Sequence, residues 1–530
     1  MNPAFQTRVT PNRPACILNA QARHAVPFYT VRFNALPLNA APFLAAICSI
    51  LCTLTITKAA EPAPQTDPWG ITPLLHTSTD YQNTQNQHPA KKHLGAPSCA
   101  ATACHGGPSP GISSTTAPRG SEYSLWIESD PHAKSWQTLN SSRSLEILTR
   151  LNILVDGQLR NKQAFQNCLA CHNTSTSLAS NDPVPNLTEG IGCEACHGPS
   201  QHWINEHYQG PSSVKNAIEH LGMINTKALP QQAKACTLCH VGGPDRDMNH
   251  DIIAAGHPAL YFDFQTYLKA YPKHWRNPPS VDLPAQRWLA GQLAAADSEL
   301  QLLEARLNAK PNSSSTWPEF SNFQCSSCHQ PLSKPPSSNK SHATPLGNPP
   351  LREWNLQALH LVSQQEPPMN LSLRSPKQPT NSESIRSEIS EPDVRTNILA
   401  LRTALAQAAF AQTNNQPNST MISQWNLHDQ RHYAASLWEK IRSDSLPPDS
   451  ASPNTLHNKP SEPNWELASL AYIATLPALP NNNTSTSQPL LEIRNALLFP
   501  LQSQSPKLPT TIDWNRIVPP IVETLEQPSY

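Results

Sequence analysis

Charge is what this sequence has least of. Only 14% of its 530 residues are charged, and 38 basic residues balance 38 acidic ones. No basic surplus marks a nucleic-acid partner, and no acidic surplus marks a long solvating tail. Glycine is scarce, at 17 residues against 55 prolines, so much of the chain is expected to run in irregular or extended linkers. Methionine numbers five, and only Met223 and Met248 fall between residues 95 and 330. Acidic residues are missing before Glu61. Beyond residue 60 no thiol is spare. Of 13 cysteines, ten lie in one recurring pattern, and Cys16, Cys48 and Cys52 all come earlier.

The pattern is a cysteine pair followed at once by histidine. It stands at Cys168, Cys171 and His172; at Cys193, Cys196 and His197; at Cys236, Cys239 and His240; and at Cys325, Cys328 and His329. A stretched version has four residues between Cys99 and Cys104, then His105. Two thiols can bond the two vinyl groups of one porphyrin, and the adjacent histidine then sits under the iron as its proximal ligand. A zinc ribbon also uses cysteine pairs, but it gives no reason for a histidine after every pair. The pattern therefore predicts five covalently bound haem c groups.

The first 60 residues read as an export signal or an N-terminal anchor. Arg8, Arg13, Arg23 and Arg32 precede an apolar stretch from Ala41 to Thr57, and Lys58-Ala59-Ala60 follows it. That order is the one a signal peptide uses, with cleavage expected near Ala59 or Ala60. Removing it would leave a mature protein without spare thiols, as suits an oxidising, periplasmic or otherwise exported setting.

A proximal histidine leaves one further axial position on each iron. With methionine nearly absent, histidine is the expected occupant, and bis-histidine ligation gives low-spin iron of lowered potential. His132 follows Asp130-Pro131 in a turn before a predicted helix. His202 comes soon after the third motif. His250 and His257 frame the stretch from Asp251 to Gly256. These four, with His207 and His93, are the candidate distal ligands, while His220 and His274 read as ordinary.

The fold expected is mainly α, with little regular structure around packed haems and a helical C-terminal region. Residues 61–280 are assigned to a domain carrying four haems, and 281–330 to a helix plus the fifth site. Residues 331–350 read as a Pro/Ser-rich linker, and 351–530 as helices separated by disordered gaps. Leu289, Leu293, Ala296, Leu300, Leu303 and Leu307 recur at steps of three and four, which predicts an amphipathic packing helix. Helical segments are also expected around Trp354–Leu361, Val394–Leu405, Tyr433–Ile441 and Trp465–Leu476.

The run Gly192-Cys193-Glu194-Ala195-Cys196-His197-Gly198-Pro199 with His202, the Asp130-Pro131-His132 element and Ala255-Gly256-His257-Pro258 resemble a known group. It is the multihaem family that includes the tetrahaem electron acceptor of hydroxylamine oxidoreductase. The resemblance spans about Gly95 to Trp275. It implies closely packed haem pairs, mostly bis-histidine ligated, with His132, His202 and His257 at ligand-like positions. A fifth site, a stretched first motif and a long tail depart from the tetrahaem pattern. The expected function is an electron carrier between redox partner proteins, without a catalytic residue of its own. The alternatives are an oxidoreductase with one open haem acting on a small nitrogen or sulfur oxyanion, or a subunit of a membrane-associated redox complex. Pentahaem nitrite reductases resemble one another in a Cys-x-x-Cys-Lys motif that this sequence lacks.

Overall fold

The computed structural model describes residues 92–108, 120–174, 189–244, 246–275, 280–309, 318–329, 351–356, 420–445, 465–479, 488–497 and 512–527, with scattered positions between 359 and 405. The expected leader, the arm before Lys92 and the linker at 331–350 lie outside these residues. The described chain is mainly helical, as expected. Among the described residues no helix is long and apolar enough to cross a membrane.

The motif-bearing part is built from short helices: α1 (Glu122–Ser129), α2 (Ser142–Arg150), α3 (Lys162–His172), α4 (Cys193–His197), α5 (Leu229–His240), α6 (His250–Ala254) and α7 (Phe264–Ala270). Motifs two, three and four each form the last turn of a helix, so the histidine is delivered at a helix C-terminus. Between α2 and α3 lies a two-stranded hairpin, Leu154–Val155 with Gln158–Leu159. Its turn residues Asp156 and Gly157 both have positive φ, as a tight hairpin requires. Up to α3, the buried apolar side chains form only small clusters. Trp136, Leu148, Phe165 and Leu169 centre one, and Ala96, Trp126 and Ala133 form another.

The leucine stripe lies on α8 (Leu283–Asn308), which starts at a favourable proline in its first turn. All six stripe residues are buried. The opposite face is covered as well, since Arg287, Gln292, Asp297, Ser298 and Arg306 are also buried. This helix packs on α5 and α7, and its Trp288 meets Tyr433 of the C-terminal region at 5.1 Å between ring centres. Gly291 is needed at the crossing with α7, because a Cβ there would sit 2.4 Å from the Cβ of Phe264. The fifth motif opens on the short helix α9 (Cys325–Cys328).

Beyond it come α10 (Leu427–Asp444), α11 (Trp465–Thr475), α12 (Gln488–Leu497) and α13 (Trp514–Glu526). Asn426 and Asp429 form a reciprocal capping box at the start of α10. The expected helices at Tyr433–Ile441 and Trp465–Leu476 fall within α10 and within α11 with the turn after it; Ile398 and Leu405 are helical and buried. The stretch after Trp354 instead forms turns. Its side chains bond in different directions, Trp354 Nε1 to the Phe262 carbonyl at 3.3 Å and Asn355 to Glu299 at 3.0 Å, which one helix face could not serve. One core runs from Ala233 through α8 to Leu525, so residues on both sides of the fifth motif share it.

Candidate haem centres

Five histidine–histidine ring pairs occur among the described residues, and each joins a motif histidine to one outside the motifs. His105 faces His207 at 6.2 Å between ring centres, and His172 faces His257 at 6.4 Å. His197 faces His274 at 6.4 Å, His240 faces His132 at 6.0 Å, and His329 faces His250 at 6.3 Å. An iron held between two imidazoles, with metal–nitrogen bonds of about 2.0 Å, places the ring centres about 6.3 Å apart. The residues therefore fit the group that the motifs imply. Apolar surface beside the pairs fits too. Tyr208, Tyr267 and Phe320 are exposed, and each packs against a paired histidine, where a porphyrin face would cover it. Among the described residues no group of three or more Cys, His, Asp or Glu converges on a bare metal ion, so the zinc arrangement finds no ligand set there.

Protonation and tautomer also suit iron ligation. Burial pushes the imidazoles of His197 and His240 down to about 4, with neighbouring histidines adding to it. Burial likewise lowers His172, His257 and His274. Neutral imidazole is the form that binds a metal. Several rings have Nδ1 engaged, which leaves Nε2 for the pair partner. His172 Nδ1 bonds the Ser135 carbonyl at 3.0 Å, His257 Nδ1 the Pro258 carbonyl at 2.9 Å, and His207 Nδ1 the Ile204 carbonyl at 3.0 Å. Two bond carboxylates instead: His105 to Glu122 and His132 to Asp130, both at 2.9 Å. At Asp130 burial acts to raise the carboxyl, but the hydrogen bonds from His132 and Tyr271 outweigh it and the group ends below its usual range. For His132 burial acts downward and Asp130 upward, and the net direction is up.

Four of the five attachment sites adjoin one another. Cys99 lies within hydrogen-bond reach of Cys193, and Cys171 within reach of Cys239. Motif one thus neighbours motif three, and motif two neighbours motif four.

Of the six candidates for the far side, His132, His207, His250 and His257 sit in pairs. His93 is half-buried beside a small cavity lined by Glu189 and Glu194, and His202 is exposed in a turn; neither is in a pair. His274, which reads as ordinary in the sequence, takes the place opposite His197. His220 stays on the surface near Glu219.

Residues without a sequence signal position these histidines. Ser135 Oγ lies 2.8 Å from the His132 carbonyl and 2.9 Å from that of His172, tying two sites together. The buried Glu194 carboxylate accepts the backbone N–H groups of Leu94, Gly95 and Ser200 at 3.0, 2.7 and 2.6 Å. It thereby fastens the segment before motif one to motif three. Arg143 donates to the Gly256 carbonyl at 2.6 Å and Arg150 to that of Ala255 at 2.8 Å, holding the loop that presents His257. Gly256 itself has a φ of +121°, a conformation that favours glycine. Arg306 on α8, buried, binds Asp247 and Asn322 at 2.5 Å each, and so anchors the approaches to His250 and to motif five.

The family described as cytochrome c554 and c-prime matches residues 102–198. The match runs from within the first motif to the end of the third and takes in His132. It supports a multihaem c-type cytochrome of electron transfer. No curated protein and no solved structure matches the chain.

Proposed function

We propose that this protein is an exported electron carrier with five covalently attached c-type haems, each with histidine on both sides of its iron. The observation that carries this reading is the pairing: every motif histidine faces a second histidine at 6.0–6.4 Å. Haem c, once attached, supplies a one-electron couple at its iron. The chain does the rest. Its ten motif cysteines would fix the groups, its paired imidazoles would hold the irons, and carbonyls and carboxylates orient five of the ten rings, those of His105, His132, His172, His207 and His257.

With a histidine on each side, an iron held there would have no open position for a small substrate, which favours carriage over catalysis. That holds at the stretched first motif too, where His207 faces His105. Adjoining attachment sites suit transfer within the molecule. The basic, apolar N-terminal segment and the lack of other thiols beyond residue 60 support export. Partners would be redox proteins, of the kind the resemblance to the acceptor of hydroxylamine oxidoreductase suggests. Stepwise reduction of the haem-loaded protein tests the reading. It should take up and return five electrons per chain with no turnover of nitrite or sulfite. Fewer than five electrons, or sustained consumption of either anion, would argue for another function.

A further inference from the structure

The carboxylate behind His132 differs from every other group that orients a paired histidine. Asp130 is 2% exposed, while Glu122 behind His105 keeps a quarter of its side chain in solvent. The acceptors behind His172, His207 and His257 include neutral carbonyls, and none is a carboxylate. Asp130 Oδ1 bonds His132 Nδ1 and the His132 backbone N–H, both at 2.9 Å. Its other oxygen accepts a 2.5 Å hydrogen bond from the Tyr271 hydroxyl. Among the described residues no lysine or arginine pairs with Asp130, so its charge acts on His132 without a compensating cation. In a buried setting such a charge is little screened.

We propose that Asp130 is a positioning residue that sets the potential at the fourth motif, and that Tyr271 moderates it. The inference rests on the bis-histidine reading above. A carboxylate that draws on the Nδ1 proton makes the imidazole a stronger donor through Nε2. A stronger donor favours the ferric over the ferrous ion, so the iron between His132 and His240 is harder to reduce than neutral acceptors would leave it. The Tyr271 hydrogen bond withdraws charge from Asp130 and softens the effect. Tyr271 also packs near the rings of His132 and His274. Its ring centre lies 5.7 Å from that of His132 and 6.3 Å from that of His274. The simpler role for Asp130 is to cap the turn Pro131–Lys134, which it also does. Asparagine keeps that capping oxygen and removes the charge, so the two roles separate.

The experiment is a spectroelectrochemical titration of the haem-loaded full chain as wild type, Asp130→Asn and Tyr271→Phe. Asp130→Asn is expected to move one of five midpoint potentials upward. Tyr271→Phe is expected to move the same one downward. Opposite shifts confined to one step support the proposal, because loss of a merely structural contact has no reason to change sign. No shift in either variant, shifts of the same sign, or shifts spread over several steps would overturn it. Should Asp130→Asn release His132 and give a new high-spin signal, Tyr271→Phe decides alone, by a downward shift or none. A wild type with fewer than five haems, or with high-spin iron, marks failure of the ligation reading itself, and the inference falls with it.

Discussion

Between Ala96 and Leu169 the buried apolar side chains form two small clusters, while from Ala233 to Leu525 they join a single core. In the first region, short helices end on motif histidines and backbone contacts run through single polar groups such as Ser135 and Glu194. In the second, long helices pack directly, with Trp288, Trp438 and Leu300 fully buried. Removing apolar surface from water is the main favourable term in folding, at about 25 cal/mol per Å². Where side chains supply little of it, something else must. Porphyrin plates at the first three motifs, set against exposed residues such as Tyr208, would supply it there. The comparison teaches that one part of this chain would lean on its cofactors for apolar contact, while the other carries a core of its own.

The sharpest way to break the comparison is to prevent attachment. With all ten motif cysteines changed to alanine, residues 92–226 should become sensitive to limited proteolysis. A fragment containing α8 and α10–α13 should survive. Uniform protection, or uniform loss, would remove the distinction. The next largest effect belongs to the other region. Trp438 is fully buried and donates to Thr475 at 2.9 Å. Trp438→Ala should cost about 3–5 kcal/mol in denaturant unfolding while the haem absorbance spectrum stays unchanged.

Much of the second region is legible in sequence because helical periodicity is local. The stripe from Leu289 to Leu307 announces α8, and the segments Tyr433–Ile441 and Trp465–Leu476 announce α10 and α11. The attachment motifs are legible for the same reason, since all their atoms lie within a few residues. The far-side histidines are not. His105 meets His207 and His132 meets His240, partners that only tertiary structure brings together. Nearness in sequence pointed to His202, which lies exposed, and passed over His274, whose neighbours Tyr271 and Trp275 gave no spacing signal. The groups that orient the rings, Ser135, Arg143 and Arg306 among them, are ordinary polar residues until the fold places them.

Two smaller predictions sharpen the contrast. Gly256→Ala places a side chain at φ +121° beside Arg150, at a cost of about 1–3 kcal/mol, and should loosen the loop that presents His257. Its signature would be partial high-spin character at one iron only, read by magnetic circular dichroism. Asn426→Ala removes the cap of α10 and should lower stability by about 1 kcal/mol, with every haem signal unchanged. The first acts on a ligand and the second on a helix, so each should be silent in the other's assay.

The central claim is that every iron in this protein is held between two histidines. Low-temperature electron paramagnetic resonance of the oxidised, haem-loaded chain tests it most directly. The account predicts low-spin ferric signals integrating to five irons per chain, with no high-spin component. A high-spin signal amounting to one iron would contradict it, and would identify an open site at which substrate could bind.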